Sequence, residues 1–352
     1  MALLLCASIC LLAMSCANNE SSETAAADGT NADTEGSETS AADGTNADTE
    51  GSTTELPADK KFTVGIIQLV QHEALDAATE GFKDALIAKL GADHVEFDYK
   101  NASGEIANCN TIVNNFVTQK VDLIMANATP ALQAAYNATD DIPILGTSVT
   151  EYGVALGIDN FSGTVGENVS GTSDLAPLDE QAQMILDLFP NTKTVGLLYC
   201  SSEANSKYQV KVVKEYLEGK GITCNTYTFS DSNDISMVTS SAAGEVDVVY
   251  IPTDNTAASS ADIIDNILRE KKIPVIAGEE GICAKCGVAT LSISYYELGK
   301  KTGEMAADIL LGNKKIEEMP IEYAPTTKKY NKEIAEELGV TIPEGYEAIA
   351  VK

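Results

Sequence analysis

VDLIMANATPALQAAYN, Val121 to Asn137, and VDVVYIPTDNTAASSAD, Val246 to Asp262, follow one plan. Each begins Val-Asp and runs through four or five apolar residues, enough for one buried strand. Each then breaks into small polar residues around a proline and enters a helical pattern. An isoleucine-proline strand follows: IPILGTS, Ile142 to Ser148, and IPVIAGE, Ile273 to Glu279. A parallel strand that ends in a polar turn and opens a helix leaves unpaired amides beside a crevice, where an α/β sheet binds a ligand. Two such units, starting 125 residues apart, predict two similar lobes that close on a small molecule.

The surrounding pattern extends each unit. In lobe one, Phe62–Leu69 reads as a strand and Ala74–Leu90 as a helix with Leu75, Ala78, Phe82, Leu86 and Leu90 on one face. Strand Val95–Tyr99, helix Gly104–Gln119, strand Val121–Ala126, helix Pro130–Asn137 and strand Ile142–Thr147 follow. Lobe two repeats the order with strand Thr194–Tyr199, helix Glu203–Gly219, strand Thr223–Phe229 and helix Asn233–Ala243. Strand Val246–Ile251, helix Asn255–Lys271 and strand Pro274–Ala277 complete it. An alternating segment Val288–Ser294 leads to helix Tyr295–Gly312, and strand signals recur at Ile321–Tyr323. Strands alternating with helices predict doubly wound parallel sheets, one per lobe, joined by a hinge. Lobe one is assigned to 60–172, lobe two to 173–290, and 291–352 to a return crossing and a C-terminal segment packed on the lobes.

The chain has 352 residues and a net charge of −30, unevenly spread. Residues 17–59 hold 11 carboxylates and no Lys or Arg, and Arg269 is the single arginine. Without clustered basic residues, a nucleic-acid partner is excluded. The first fifteen residues, MALLLCASICLLAMS, are an apolar signal segment too short for a permanent span. With Cys16 after it, the segment resembles a bacterial lipoprotein signal, although Ala13 holds a position where leucine is usual. An ordinary secretory signal is the alternative. A direct repeat follows, AADGTNADTEGS at 26–37 and again at 41–52. With almost no large apolar residues it reads as an extended tether over 16–59, lipid-attached at Cys16 to a membrane outside the cytoplasm.

Five cysteines remain beyond Cys16: Cys109, Cys200, Cys224, Cys283 and Cys286. Cys283-Ala-Lys-Cys286 is one CxxC in a Gly-bounded loop. Zinc would need further ligands, and His72 and His94, the two histidines, are far away in sequence. Structural or incidental thiols are expected, with a disulfide as the alternative and no metal or other cofactor.

Four segments together resemble one family. They are VGIIQLVQHEALDAATEGFKDAL from Val64, YCSSEANS from Tyr199, IPTDNT from Ile251, and IPVIAGEEG from Ile273 with YYELGKKTGEMAADILLG from Tyr295. Over about 60–330 the chain is similar to the ABC-transporter substrate-binding lipoproteins typified by tryptophan and tyrosine binders of Gram-positive bacteria. The resemblance implies a type I periplasmic-binding-protein fold with three hinge crossings, a ligand in the cleft and an ABC permease as partner, and a monomer is expected. The Cys-Ala-Lys-Cys loop and the Cys200 turn depart from the family pattern near the cleft edges, which puts ligand identity in question.

A free amino acid needs donors for its carboxylate, an acid for its ammonium and a pocket for its side chain. Asn127, Thr129 and Ser148 at strand ends of lobe one are candidate donors, or helix caps. Ser201, Ser202, Glu203 and Asn205 open the first helix of lobe two, where Glu203 also suits the helix dipole. Asp254 is the leading ammonium partner, with N-cap of the following helix as its other role. Asn255 follows it, and Glu279 is the alternative acid. Gln68 and His72 follow the first strand, and Tyr152, Tyr295 and Tyr296 are candidates for an aromatic wall. No GxSxG turn, GxGxxG or phosphate loop occurs, so an enzyme is not expected. A sensory ectodomain and a nucleoside or sugar binder remain as alternatives.

Overall fold

The computed structural model describes residues 57 and 59–350. The signal segment, Cys16 and the acidic repeat lie outside the described residues. The first lobe begins with β1 (Phe62–Gln68), α1 (Glu73–Leu90), β2 (Val95–Asn101), α2 (Ile106–Gln119) and β3 (Leu123–Asn127). It continues with α3 (Thr129–Ala138), β4 (Ile144–Val149), α4 (Tyr152–Leu156) and β5 (Val169–Ser173). The second lobe opens with α5 (Leu178–Leu188), β6 (Thr194–Cys200), α6 (Ala204–Gly219), β7 (Thr223–Phe229) and α7 (Ile235–Ala243). Then come β8 (Val248–Ile251), α8 (Asn255–Ser259), α9 (Ala261–Glu270), β9 (Val275–Ala277), α10 (Glu280–Cys286) and β10 (Ala289–Ser292). The C-terminal part supplies α11 (Tyr295–Leu310), β11 (Glu322–Tyr323), β12 (Thr327–Tyr330), α12 (Lys332–Leu338) and β13 (Glu347–Ala348).

Two sheets result, ordered β11-β5-β4-β3-β1-β2 and β13-β12-β10-β9-β8-β6-β7. Every pairing in the first sheet is parallel, and the second has one antiparallel pair, β10 with β12. The fold is therefore the expected pair of doubly wound α/β lobes. The chain passes between sheets three times: from β5 to α5, from β10 to α11, and from β11 to β12. The C-terminal segment is thus divided, with β11 in the first sheet and β12 and β13 in the second.

Burial explains the apolar runs. Every residue of β3, β4 and β8 is buried, as strands covered by helices on both faces must be. Along β1 the alternation divides the core: Val64 and Ile66 meet Phe82 and Leu86 of α1, whereas Ile67 joins the opposite cluster with Phe116 and Leu132. Each such side chain contributes roughly 1.5–3 kcal/mol when fully buried. Helix α1 buries the Leu75–Ala78–Phe82–Leu86–Leu90 stripe read from the sequence. On α1's other contact, α11 approaches so closely that a Cβ on Gly299 would strike the Ala78 carbonyl, and one on Gly81 the Tyr296 carbonyl.

Three local readings change. The helix expected over Asn255–Lys271 is two helices, broken at Ser260, which leaves helical geometry with ψ of 16° and heads α9. The Cys-Ala-Lys-Cys segment is helix α10 rather than a loop. Gly278 and Gly287 flank it and Gly281 lies within it, which obscures a helical face on which Ile282, Cys283 and Cys286 point inward. Between Thr147 and Thr194 the sequence reading assigns no element, yet α4, β5 and α5 lie there, and α5 buries Leu178, Ala182, Ile185 and Leu188 at helical spacing. Strand β5 is Val-Ser-Gly-Thr-Ser, fully buried, and its polarity hides it. Its hydroxyls are satisfied internally: Ser170 Oγ donates to the Met319 carbonyl, and Thr172 shares hydrogen bonds with Thr147 and Thr302.

Candidate functional site

A small cavity of about 10 Å³, room for about one water, lies where the C-terminal strand ends of the two sheets meet. Lobe one lines it with His72, Leu75, Ser148 and Thr150, and lobe two with Asn205, Thr253, Asp254, Asn255, Ala258 and Glu279. Asp174 and Tyr295, at the first and second crossings, complete the wall. No Lys or Arg is among these residues. A second, open groove of about 390 Å³ runs outside it between Ile106 and Pro130 on one side and Ser202, Asp231 and Thr256 on the other.

The lobe-one wall is neutral. Helix α3 has no side-chain cap, and its N-cap residue Ala128 sits at φ 97°, a conformation that strains any residue but glycine. Ser148 is also left-handed, at φ 54°, beside a register shift between β4 and β5. The hydroxyls of Thr129 and Ser148 are buried and have no hydrogen-bond partner. Strained backbone, an uncapped helix start and two unsatisfied hydroxyls converge on one corner. That corner suits an anionic group.

The lobe-two wall carries three buried acids, each occupied as a helix cap. Glu203 accepts from the Asn255 amide at 3.0 Å, the Asn255 side chain at 2.6 Å, and the Thr256 amide and hydroxyl at 2.9 and 2.8 Å. Asp254 caps α8 through the Ala257 amide at 2.8 Å and ties β6 and α6 through the Cys200 amide and Ser206 hydroxyl, both at 2.7 Å. Glu279 caps α10 through the Gly281 and Ile282 amides. Burial, reinforced by the charge of Glu203, raises the Asp254 carboxyl. Burial pushes Glu279 up to about 7 against the favourable pull of its two amides.

Asp174 differs from all three. It caps no helix. One oxygen accepts from the Tyr295 hydroxyl at 2.9 Å, and the other, Oδ1, is buried with no partner. Burial raises its pKa, opposed by the Tyr295 hydroxyl bonded to it and the Thr150 hydroxyl nearby. A half-satisfied carboxylate in a cavity without basic residues calls for a cation or a donor from outside the chain.

Of the residues singled out in the sequence, Ser148, Asn205, Asp254, Asn255 and Glu279 line the cavity, and so do His72 and Tyr295. Gln68 and Asn127 do not: Gln68 binds Asp76 and Thr79, and Asn127 binds Thr79 and the Leu75 carbonyl, so the pair pins α1 to the sheet. Thr129 is buried at the head of α3, outside the lining. Ser201 and Ser202 turn to the carbonyls of Phe229 and Ser230, and Glu203 lies under α8. Tyr152 is core, with its hydroxyl on the Thr172 carbonyl, and Tyr296 faces outward to Asp84. Sequence reasoning missed Asp174 and Thr150. The available signal for Asp174 was a lone acid following a Gly-Thr-Ser run at the lobe boundary.

All five described cysteines are free and buried, and burial raises their thiol pKa values. Among the described residues no group of three or more His, Cys, Asp or Glu is placed to hold a metal, and no helix is long and apolar enough to cross a membrane.

The family model described as ABC transporter substrate binding protein matches residues 63–352. A tyrosine-binding protein of Clostridioides difficile is 39% identical over 264 residues, 74% of this chain and 76% of that protein. Among solved structures, an ABC domain from Streptococcus pneumonia in complex with L-Trp is 32% identical with a TM-score of 0.78, covering 82% of this chain and 100% of that one. A ligand-free, open substrate binding protein with adhesive properties from Clostridium difficile is 40% identical, yet superposes with a TM-score of 0.63, covering 83% and 100%.

Proposed function

The chain belongs to the ABC transporter substrate-binding protein family, an extracytoplasmic solute-binding component of an importer, and from that premise we propose that its ligand is a free aromatic amino acid. The observation that carries the reading is Asp174, a buried carboxylate with one unpartnered oxygen in a cavity that has no lysine or arginine. An α-ammonium group supplies the missing donor and charge. The ligand carboxylate then faces Ser148 and the uncapped start of α3, where a neutral wall and a helix dipole favour an anion. The relatives support the aromatic side chain, since one is named for tyrosine and one holds L-Trp. Tyr295 and Leu75 are large side chains of the cavity wall, and the lobes must part beyond the 10 Å³ between them to seat such a ligand.

The ligand acts through closure. It touches Ser148 on one lobe and the lobe-two wall only when the cleft is shut, so its contacts favour the closed state. The poorer superposition on the more similar but open relative is in keeping with closed lobes here. Calorimetry against the twenty amino acids, nucleosides and simple sugars tests the reading. Saturable binding of tyrosine or tryptophan is expected. Binding to a sugar or nucleoside with none to any amino acid overturns it. The proposed anchor is a lipid on Cys16, with 17–59 as the tether to the membrane. Detergent partition of the protein, and its release by Cys16→Ala, checks that part.

A further inference from the structure

We infer that His72 and Asn255 form a latch that holds the two lobes together across the mouth of the cleft. This goes beyond the ligand reading and does not depend on which molecule binds. His72 lies in the turn between β1 and α1, in the N-cap position of α1, yet its side chain makes no cap hydrogen bond. The ring reaches lobe two instead, with Nε2 3.3 Å from Asn255 Oδ1. Among the described residues this is the single side-chain hydrogen bond between the lobes away from the three crossings.

The donor assignment is fixed by the far side of Asn255. Its Nδ2 donates to Glu203 at 2.6 Å, so Oδ1 is the acceptor and His72 Nε2–H must donate. That donation is possible in both the neutral and the protonated ring. Burial lowers the His72 pKa, while Asn255, Glu203 on lobe two and Asp76 on α1 oppose that shift. Glu203 in turn receives the Asn255 and Thr256 amides, so the latch ends on a rigid base rather than a mobile side chain. Its position also matters. Asn255 lines both the enclosed cavity and the open outer groove, which places the bond at the partition between them. Opening the cleft breaks this contact before a ligand can pass.

The test needs no ligand. Thr129 and Ala131 stand in the first turn of α3, where amides have no intrahelical acceptor, and both residues are buried. Pro130 between them lines the outer groove together with Asn255, so their hydrogen exchange reports opening of the cleft there. In the full-length protein without ligand, His72→Leu should speed exchange at Thr129 and Ala131 by about threefold to tenfold, the equilibrium worth of one neutral hydrogen bond. His72→Gln, which retains an N–H donor at similar reach, should restore the slower rate. A purely local role for His72 would change exchange only within 70–76, and unchanged rates at Thr129 and Ala131 in His72→Leu would overturn the latch. Calorimetry with L-tyrosine on wild-type protein reports separately on the amino-acid reading.

Discussion

The two cleft walls are built on one βα plan and carry opposite chemistry. On lobe two, three strand ends are followed by an acid that caps a helix: Asp254 on α8, Glu279 on α10, and Glu203 reaching across to α8. These amides are already satisfied, and the wall is acidic, with burial raising the Asp254 carboxyl and pushing Glu279 up to about 7. On lobe one, the start of α3 has no side-chain cap, its N-cap backbone is strained at Ala128, and the Thr129 and Ser148 hydroxyls are unpaired. That wall is neutral and left incomplete. At the cleft, corresponding βα turns thus differ: α8 and α10 of lobe two have filled caps, whereas the cap of α3 on lobe one is open. Asp174, at the crossing between the lobes, belongs to neither scheme and holds the one cavity carboxylate oxygen lacking a partner.

The largest effect expected from this contrast is at Asp174. A charge-assisted hydrogen bond is worth roughly 1.5–3 kcal/mol, so Asp174→Asn should weaken L-tyrosine binding by about tenfold to a hundredfold in calorimetry, with the fold retained. Unchanged affinity would return the ammonium to the lobe-two acids. Asp254→Ala should instead act on stability. It removes a helix cap and two buried acceptor contacts, for a loss of about 2–3 kcal/mol in chemical denaturation. A large loss of affinity with unaltered stability would reverse that assignment.

Glu279 gives a pH test of the acidic wall. Its folded-state pKa is raised to about 7, whereas the unfolded chain titrates near about 4.3. The folded state thus holds the proton more tightly. This contribution to stability is complete below the unfolded value and is lost as pH rises through about 7. In ligand-free protein, the melting temperature should show a falling component between about pH 4.3 and 7 that Glu279→Gln removes. An identical slope in the variant would place the titration elsewhere. The smallest change is at Thr129. Thr129→Val deletes a buried hydroxyl without a partner, so the ligand-free protein should gain up to about 1 kcal/mol. A loss of stability would mean that the hydroxyl is satisfied within the chain.

Much of the fold was legible because its strands are covered on both faces and so are written as unbroken apolar runs. Val121–Ala126 and Val246–Ile251 declare themselves, and the Leu75 to Leu90 stripe fixes α1. The gaps have separate causes. Strand β5 is buried but polar, satisfied by carbonyls and hydroxyls distant in sequence, and α10 is framed by glycines. Within the cleft, Ser148, Asn205, Asp254, Asn255 and Glu279 were readable from their places at strand ends. Gln68 and Asn127 stand at similar places, but their side chains point under α1 and bind Thr79, a distinction that strand position alone does not contain.

The sequence by itself determined the two-lobe α/β plan and the strand ends that meet at the cleft, because both follow from local periodicity and turn chemistry. Tertiary structure alone decided which polar groups are spent and which are free. Asp254 acquires three partners from three segments, and Asp174 keeps an oxygen without one. Hydrogen-bond satisfaction depends on what the whole fold brings within about 3 Å, and no local stretch of chain encodes that distance.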